Sequence, residues 1–125
     1  SYLIASMGHF EYLAVVDSGF PVSNDFCVDL SIVAGKPGIL EVLIPIIEEL
    51  EMEKVLIAEE IKKTSPKYHE RLLSVLPSAV KVEYIPHEEF KRIVNLEAKG
   101  VVRTGEQTSY SSIILMAGVT YHGEK

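Results

Sequence analysis

At 125 residues with 47% hydrophobic content, the chain can bury the core of a single domain, residues 1–125. Eighteen acidic against 12 basic side chains give a net charge of −6, which argues against a nucleic-acid backbone or an anionic membrane as the main partner. The single cysteine, Cys27, can close no internal disulfide and has no metal-ligand partner at a usual spacing, so the expected setting is a reducing cytoplasm.

Ser1 to Met7 reads as the end of a helix stopped by Gly8. The chain does not begin with Met, and nothing in its first residues resembles a signal peptide. Tyr12 to Val16 is a short apolar strand that delivers a carboxylate, Asp17, where the strand should stop. Gly19 and Pro21 follow as turn formers. Phe26 to Val33 alternates loosely as a second strand, closed by Gly35 and Pro37. From Pro37 to Glu51 the period becomes helical, with Ile39, Leu43, Ile46 and Leu50 on one stripe and Pro45 expected to interrupt it. The most apolar run, Ile39 to Ile47, is also too short and too broken, by Glu41 and Pro45, to cross a bilayer.

Lys54 to Ala58 is a compact apolar run, the mark of a strand buried on both faces. Ser65-Pro66 opens a helix carrying Tyr68, Leu72, Leu73 and Leu76 at helical spacing. Val80 to Ile85 alternates as a strand, and Pro86-His87 leads into a short acidic helix ending near Asn95. Val101 to Arg103 makes another strand, Gly105 a turn, and Ile113 to Val119 a last apolar strand. Strands alternating with helices predict an α/β protein, a three-layer α/β/α arrangement around a central mixed sheet of about six strands.

The four histidines divide by position. His69 lies on a polar helix face and reads as solvated, and His122 belongs to an exposed tail. His9 and His87 each fall at a junction between elements, where an imidazole can serve a site or simply cap a backbone carbonyl. No HxH or HExxH spacing exists, so no zinc site is expected. Glu59 and Glu60, being adjacent, are expected to favour a helix N-terminus through its dipole rather than to share a proton. Arg103 and Glu106 form either an ion pair beside a turn or a ligand contact. Thr108, Ser109, Ser111 and Ser112 surround Tyr110 in a hydroxyl-rich loop that could meet a polyol or be plain turn chemistry. The chain has neither a Gly-rich phosphate loop nor a Gly-x-Ser-x-Gly elbow, which removes nucleotide and serine-hydrolase readings.

Taken in order, Met7-Gly8-His9, Val16 to Pro21, Val28-Asp29-Leu30, Leu56 to Lys62, Ile85 to Lys91, Arg103 to Glu106 and Ala117 to Thr120 resemble the D-ribose pyranase and L-fucose mutarotase family of sugar-ring isomerases. The segment Pro86-His87-Glu88-Glu89-Phe90 looks like the ribose branch. The resemblance implies an enzyme, without metal or cofactor, that interconverts the pyranose and furanose forms of D-ribose. It implies His9 as the proton donor, and Asp17, His87, Tyr110, Ser111 and Ser112 as substrate-binding positions. It also implies a homo-oligomer, a decamer of stacked rings. Ser112 stands where the family usually has asparagine, Phe10 and Glu11 replace a commoner Thr-Asp, and a short N-terminal stretch of the family is absent. The serine leaves open a mutarotase of another monosaccharide, such as fucose, or a sugar-binding accessory protein of weak turnover.

Overall fold

The computed structural model describes residues 11–117. Within them the chain runs β1 (Tyr12–Val16), β2 (Cys27–Asp29), α1 (Ile39–Glu49), β3 (Met52–Ala58), α2 (Ile61–Thr64), α3 (Pro66–Val75), β4 (Lys81–Ile85), α4 (His87–Leu96), β5 (Gly100–Arg103) and β6 (Ile113–Ala117). The expected helix end at Ser1–Met7, His9, the last two residues of the Ile113–Val119 strand and His122 lie outside the described residues.

The strands form one sheet in the order β2-β5-β1-β6-β3-β4. All pairings are parallel except those of β6, which runs antiparallel between β1 and β3. Period-two alternation splits each apolar strand between two cores. Leu13, Val15, Val55, Ile57, Ile113 and Leu115 face α1 and α3, where Ile39, Leu43, Ile46, Tyr68 and Leu72 cover them. Ala14, Val16, Leu56, Ala58 and Ile114 face the other way, onto Phe90, Ile93 and Val94 of α4. Helices on both faces of a mixed six-stranded sheet make the three layers that the alternation predicted.

One predicted element is shortened and one unpredicted element appears. The second strand is only Cys27–Asp29, not Phe26–Val33. The Asp29 carboxylate accepts both the backbone N–H and the hydroxyl of Ser31, a local turn that ends the ladder. The alternation of Val28, Leu30 and Ile32 belongs instead to an exposed apolar edge. The single turn α2 is new, because four residues carry too little periodicity to be seen. Helix α1 continues through Pro45, which cannot donate to the carbonyl of Glu41 four residues earlier.

Because β6 alone is reversed, the carboxyl ends of the other five strands and the amino end of β6 share one edge of the sheet. The chain leaves β1 toward one side and β3 toward the other. The loop before β6 drops into the gap between them. Such a switch point is where open α/β sheets bind ligands.

Candidate active site

Asp17 is the first residue beyond β1, and Ser112 the last before β6. The antiparallel register, with Val15 opposite Ile113, sets them side by side. The Asp17 N–H donates to Ser112 Oγ at 2.9 Å, and the Ser112 hydroxyl donates to Asp17 Oδ2 at 3.0 Å. Gly19 N–H donates to the other oxygen, Oδ1, at 3.1 Å. Both carboxylate oxygens are thereby held, yet each keeps a lone pair for an incoming hydroxyl. The loop that follows is anchored by Arg103, whose guanidinium donates to the carbonyls of Ser18 and Phe20 at 2.8 and 3.0 Å.

His87 opens α4 at the carboxyl end of β4. Its backbone N–H donates to both oxygens of Glu60, at 3.0 and 3.2 Å. Glu60 thus serves a helix N-terminus, as expected, but the helix is α4, 27 residues away, rather than the one it precedes. The imidazole meets Tyr110 edge-on at 5.0 Å between centroids, touches Phe20 edge-on at 5.9 Å, and stacks on Phe90 at 6.3 Å. Its Nδ1 is buried and has no hydrogen-bond partner among the described residues. Tyr110 reaches this position with φ of 57°, in the left-handed region that non-glycine residues enter at a cost.

The hydroxyl-rich loop turns its hydroxyls largely inward. Thr108 donates to Glu106 Oε2 at 2.6 Å, and Ser111 to the Thr108 carbonyl at 2.7 Å. Ser111 and Ser112 are 0% and 3% exposed and stand behind the cleft wall rather than in its lining. Tyr68 donates to the Ser111 carbonyl at 3.0 Å. Burial pushes its phenol well above its usual range, so it remains a donor. Arg103 and Glu106 do not form the pair weighed from sequence. Glu106 instead accepts the N–H of Ile39 at 2.9 Å, capping α1 together with Glu41, which takes the N–H of Gly38 at 2.7 Å.

Asp17, Ser18, Phe20, His87, Glu106 and Tyr110 are among the residues lining an open cleft of about 460 Å³. The structure therefore brings Asp17, His87 and Tyr110 together and sets Ser111 and Ser112 behind them, while His9 lies outside the described residues. A carboxylate, an imidazole and a phenol around a small polar cleft can bind a polyol by several hydrogen bonds. Among the described residues no three His, Cys, Asp or Glu side chains gather as a metal site. Phe20 is a lining residue that the sequence does not single out, whereas Glu106, for which the sequence leaves a ligand contact open, does line the cleft. Phe20 carries no local signal beyond its place in a turn, and the partners of Glu106 come from distant elements.

Residues 1–120 match the RbsD / FucU transport protein family. The chain is 71% identical to the D-ribose pyranase of Pseudothermotoga lettingae, over 100% of this chain and 89% of that protein. It is 45% identical to the D-ribose pyranase of Thermotoga petrophila, covering 97% and 92%. The fold superposes on the structure of Bacillus subtilis RbsD complexed with D-ribose with a TM-score of 0.90 and 36% identity, covering 96% of this chain and 91% of that one.

Proposed function

The chain belongs to the RbsD / FucU transport protein family, and on that premise we propose that it is an isomerase interconverting the pyranose and furanose forms of D-ribose. The observation that carries this reading is the convergence of Asp17, His87 and Tyr110 on one cleft at the carboxyl edge of the sheet. Relatives 71% and 45% identical are named D-ribose pyranase, and a 36% identical neighbour was solved with D-ribose, which supports the same substrate here.

Converting a six-membered ribose ring to a five-membered one means opening the hemiacetal and closing it on a different hydroxyl. Opening takes a proton from the anomeric hydroxyl and gives one to the ring oxygen; closing reverses the traffic. A group that titrates near neutral pH serves both directions, and His9 is assigned that role. Asp17 accepts sugar hydroxyls through charge-assisted hydrogen bonds. His87 and Tyr110 complete the cradle, with Ser111 and Ser112 contributing from behind the wall. Acid–base assistance of this kind is worth on the order of 10²–10⁴ in rate, enough for a reaction that proceeds slowly in water without help. The scheme assigns no step to a metal or cofactor.

The whole chain acts as one domain in this reading, and copies of it assemble, with a decamer of stacked rings as the proposed form. The apolar edge formed by Phe26, Val28, Leu30, Ile32 and Val33 supports assembly, since these side chains are 42–80% exposed in one copy. A lone cysteine fits the cytoplasm as the site of action, which cell fractionation tests.

The activity test is saturation-transfer NMR between the pyranose and furanose signals of ribose. The protein should accelerate exchange, and His9→Ala should remove most of that acceleration, about 10²–10⁴-fold, with the circular dichroism unchanged. An unimpaired His9→Ala protein removes His9 from its role. A wild-type protein that binds ribose without accelerating exchange is an accessory protein instead. Running fucose and other pentoses in parallel reads the sugar preference.

A further inference from the structure

We propose that Ser112 is a positioning residue for Asp17, fixing the direction of the carboxylate that receives the sugar. This rests on the ribose-ring reading above. A serine hydroxyl has one proton to give and two lone pairs to receive with. Here the lone pair receives the Asp17 main-chain N–H at 2.9 Å, while the proton goes to Asp17 Oδ2 at 3.0 Å. Backbone and side chain of one residue are thus tied through a single hydroxyl, and this closes a ring that permits only a narrow range of Asp17 side-chain torsion. Gly19 N–H holds Oδ1 from the far side at 3.1 Å. Ser112 itself is 3% exposed and is absent from the residues lining the cleft, so its donor is engaged before any ligand arrives. Its own position is equally determined, because the next residue, Ile113, is fully buried and paired with Val15. A carboxylate free to rotate would have to be ordered when the sugar binds. One already aimed avoids that cost.

Three measurements test the assignment. Ser112→Ala should lower kcat/KM for ribose ring exchange by about 10- to 100-fold, the range expected for a lost hydrogen bond to a charged group, and Ser112→Thr should restore most of it by keeping the hydroxyl. In an Asp17→Asn background, the same Ser112→Ala change should cost less than about twofold, because residues that act through one another are not additive. If exchange in that background falls to the uncatalysed rate, the cycle is read from ribose Kd instead. Finally, hydrogen exchange at the Asp17 amide should accelerate in Ser112→Ala and stay slow in Ser112→Thr. An equal Ser112→Ala penalty in both backgrounds would make Ser112 a direct sugar ligand and overturn the proposal, as would an Asp17 amide that stays protected in Ser112→Ala. The amide measurement needs no turnover. A wild-type protein inactive on ribose therefore sinks the functional reading, while the amide result separately decides whether Ser112 holds Asp17.

Discussion

Tyr110 shows how a single residue can be held against its local preference. A left-handed backbone costs a residue with a side chain about 1–2 kcal/mol, and Tyr110 adopts φ of 57° while its ring packs edge-on against His87. Tyr110→Gly is therefore expected to unfold at a higher temperature than Tyr110→Ala, by the equivalent of about 1 kcal/mol, although glycine packs less. Both should lose ribose binding. An alanine variant as stable as the glycine one would show that the backbone there is relaxed. His69 supplies a second residue-scale test. Its polar helix face predicts a solvated side chain, but it is half-buried on α3, hydrogen-bonded through Nε2 to the Tyr84 hydroxyl, with Glu70 beside it. Lys62 lies 4.0 Å above the Tyr84 ring and pairs with Glu59 at 3.3 Å. Burial, and then the Lys62 charge, hold the imidazole below its ordinary range near 6.5. The unfolded chain thus takes up this proton more readily than the folded one. The contribution to stability is full above about pH 6.5 and is lost as pH falls through the lower, folded value. Urea denaturation at pH 7.5 and 5.5 should show a larger loss for the wild type than for His69→Gln; equal losses would refute the linkage.

At the scale of elements, the cleft depends on how one strap meets one turn. Gly35 N–H donates to the Gly105 carbonyl at 2.7 Å, and Gly105 N–H to the Pro37 carbonyl at 2.8 Å, which closes the segment after β2 onto the turn after β5. A Cβ on Gly105 would lie 2.4 Å from the Lys36 carbonyl oxygen, so no side chain fits unless backbone moves. Gly105→Ala should lower the melting temperature by several degrees, with about 1–3 kcal/mol as the scale of such overpacking. It should also weaken ribose binding, because the next residue, Glu106, joins this turn to the start of α1. A fully stable Gly105→Ala protein would mean that the strap yields freely. The turn at Gly105 was visible in the sequence; the strap pressed against it was not, since their contact spans some seventy positions of chain. For the same reason the strand predicted at Phe26–Val33 came out long, its alternation reflecting a face turned outward after Asp29 rather than a ladder.

At the scale of the molecule, the two edges of the sheet differ. Edge strand β4 exposes Lys81 and Glu83, charges that discourage strand-to-strand association. The β2 edge and the strap beyond it expose apolar side chains instead, with Ile32 at 80%. If copies assemble through this side, Ile32→Lys should shift the protein to smaller species by size-exclusion chromatography with light scattering, and should leave its secondary structure unchanged. An unaltered mass would place the contact elsewhere.

The sequence by itself determined the alternation of strands and longer helices, the apolar stripes that bury them, and that Asp17 and His87 stand at element ends, but neither the true length of the second strand nor the single turn α2. Hydrophobic period and turn chemistry are local, so they can be read from neighbouring residues. Only the tertiary structure decided what those ends meet. Ser112 and Asp17 are 95 positions apart, and Glu60 and the His87 amide 27. Each pair exists because β6 inserts antiparallel between β1 and β3 and the parallel strands bring their carboxyl ends to one edge. A hydroxyl or carboxylate has no period along the chain, and its partner is set by the order of strands in the sheet.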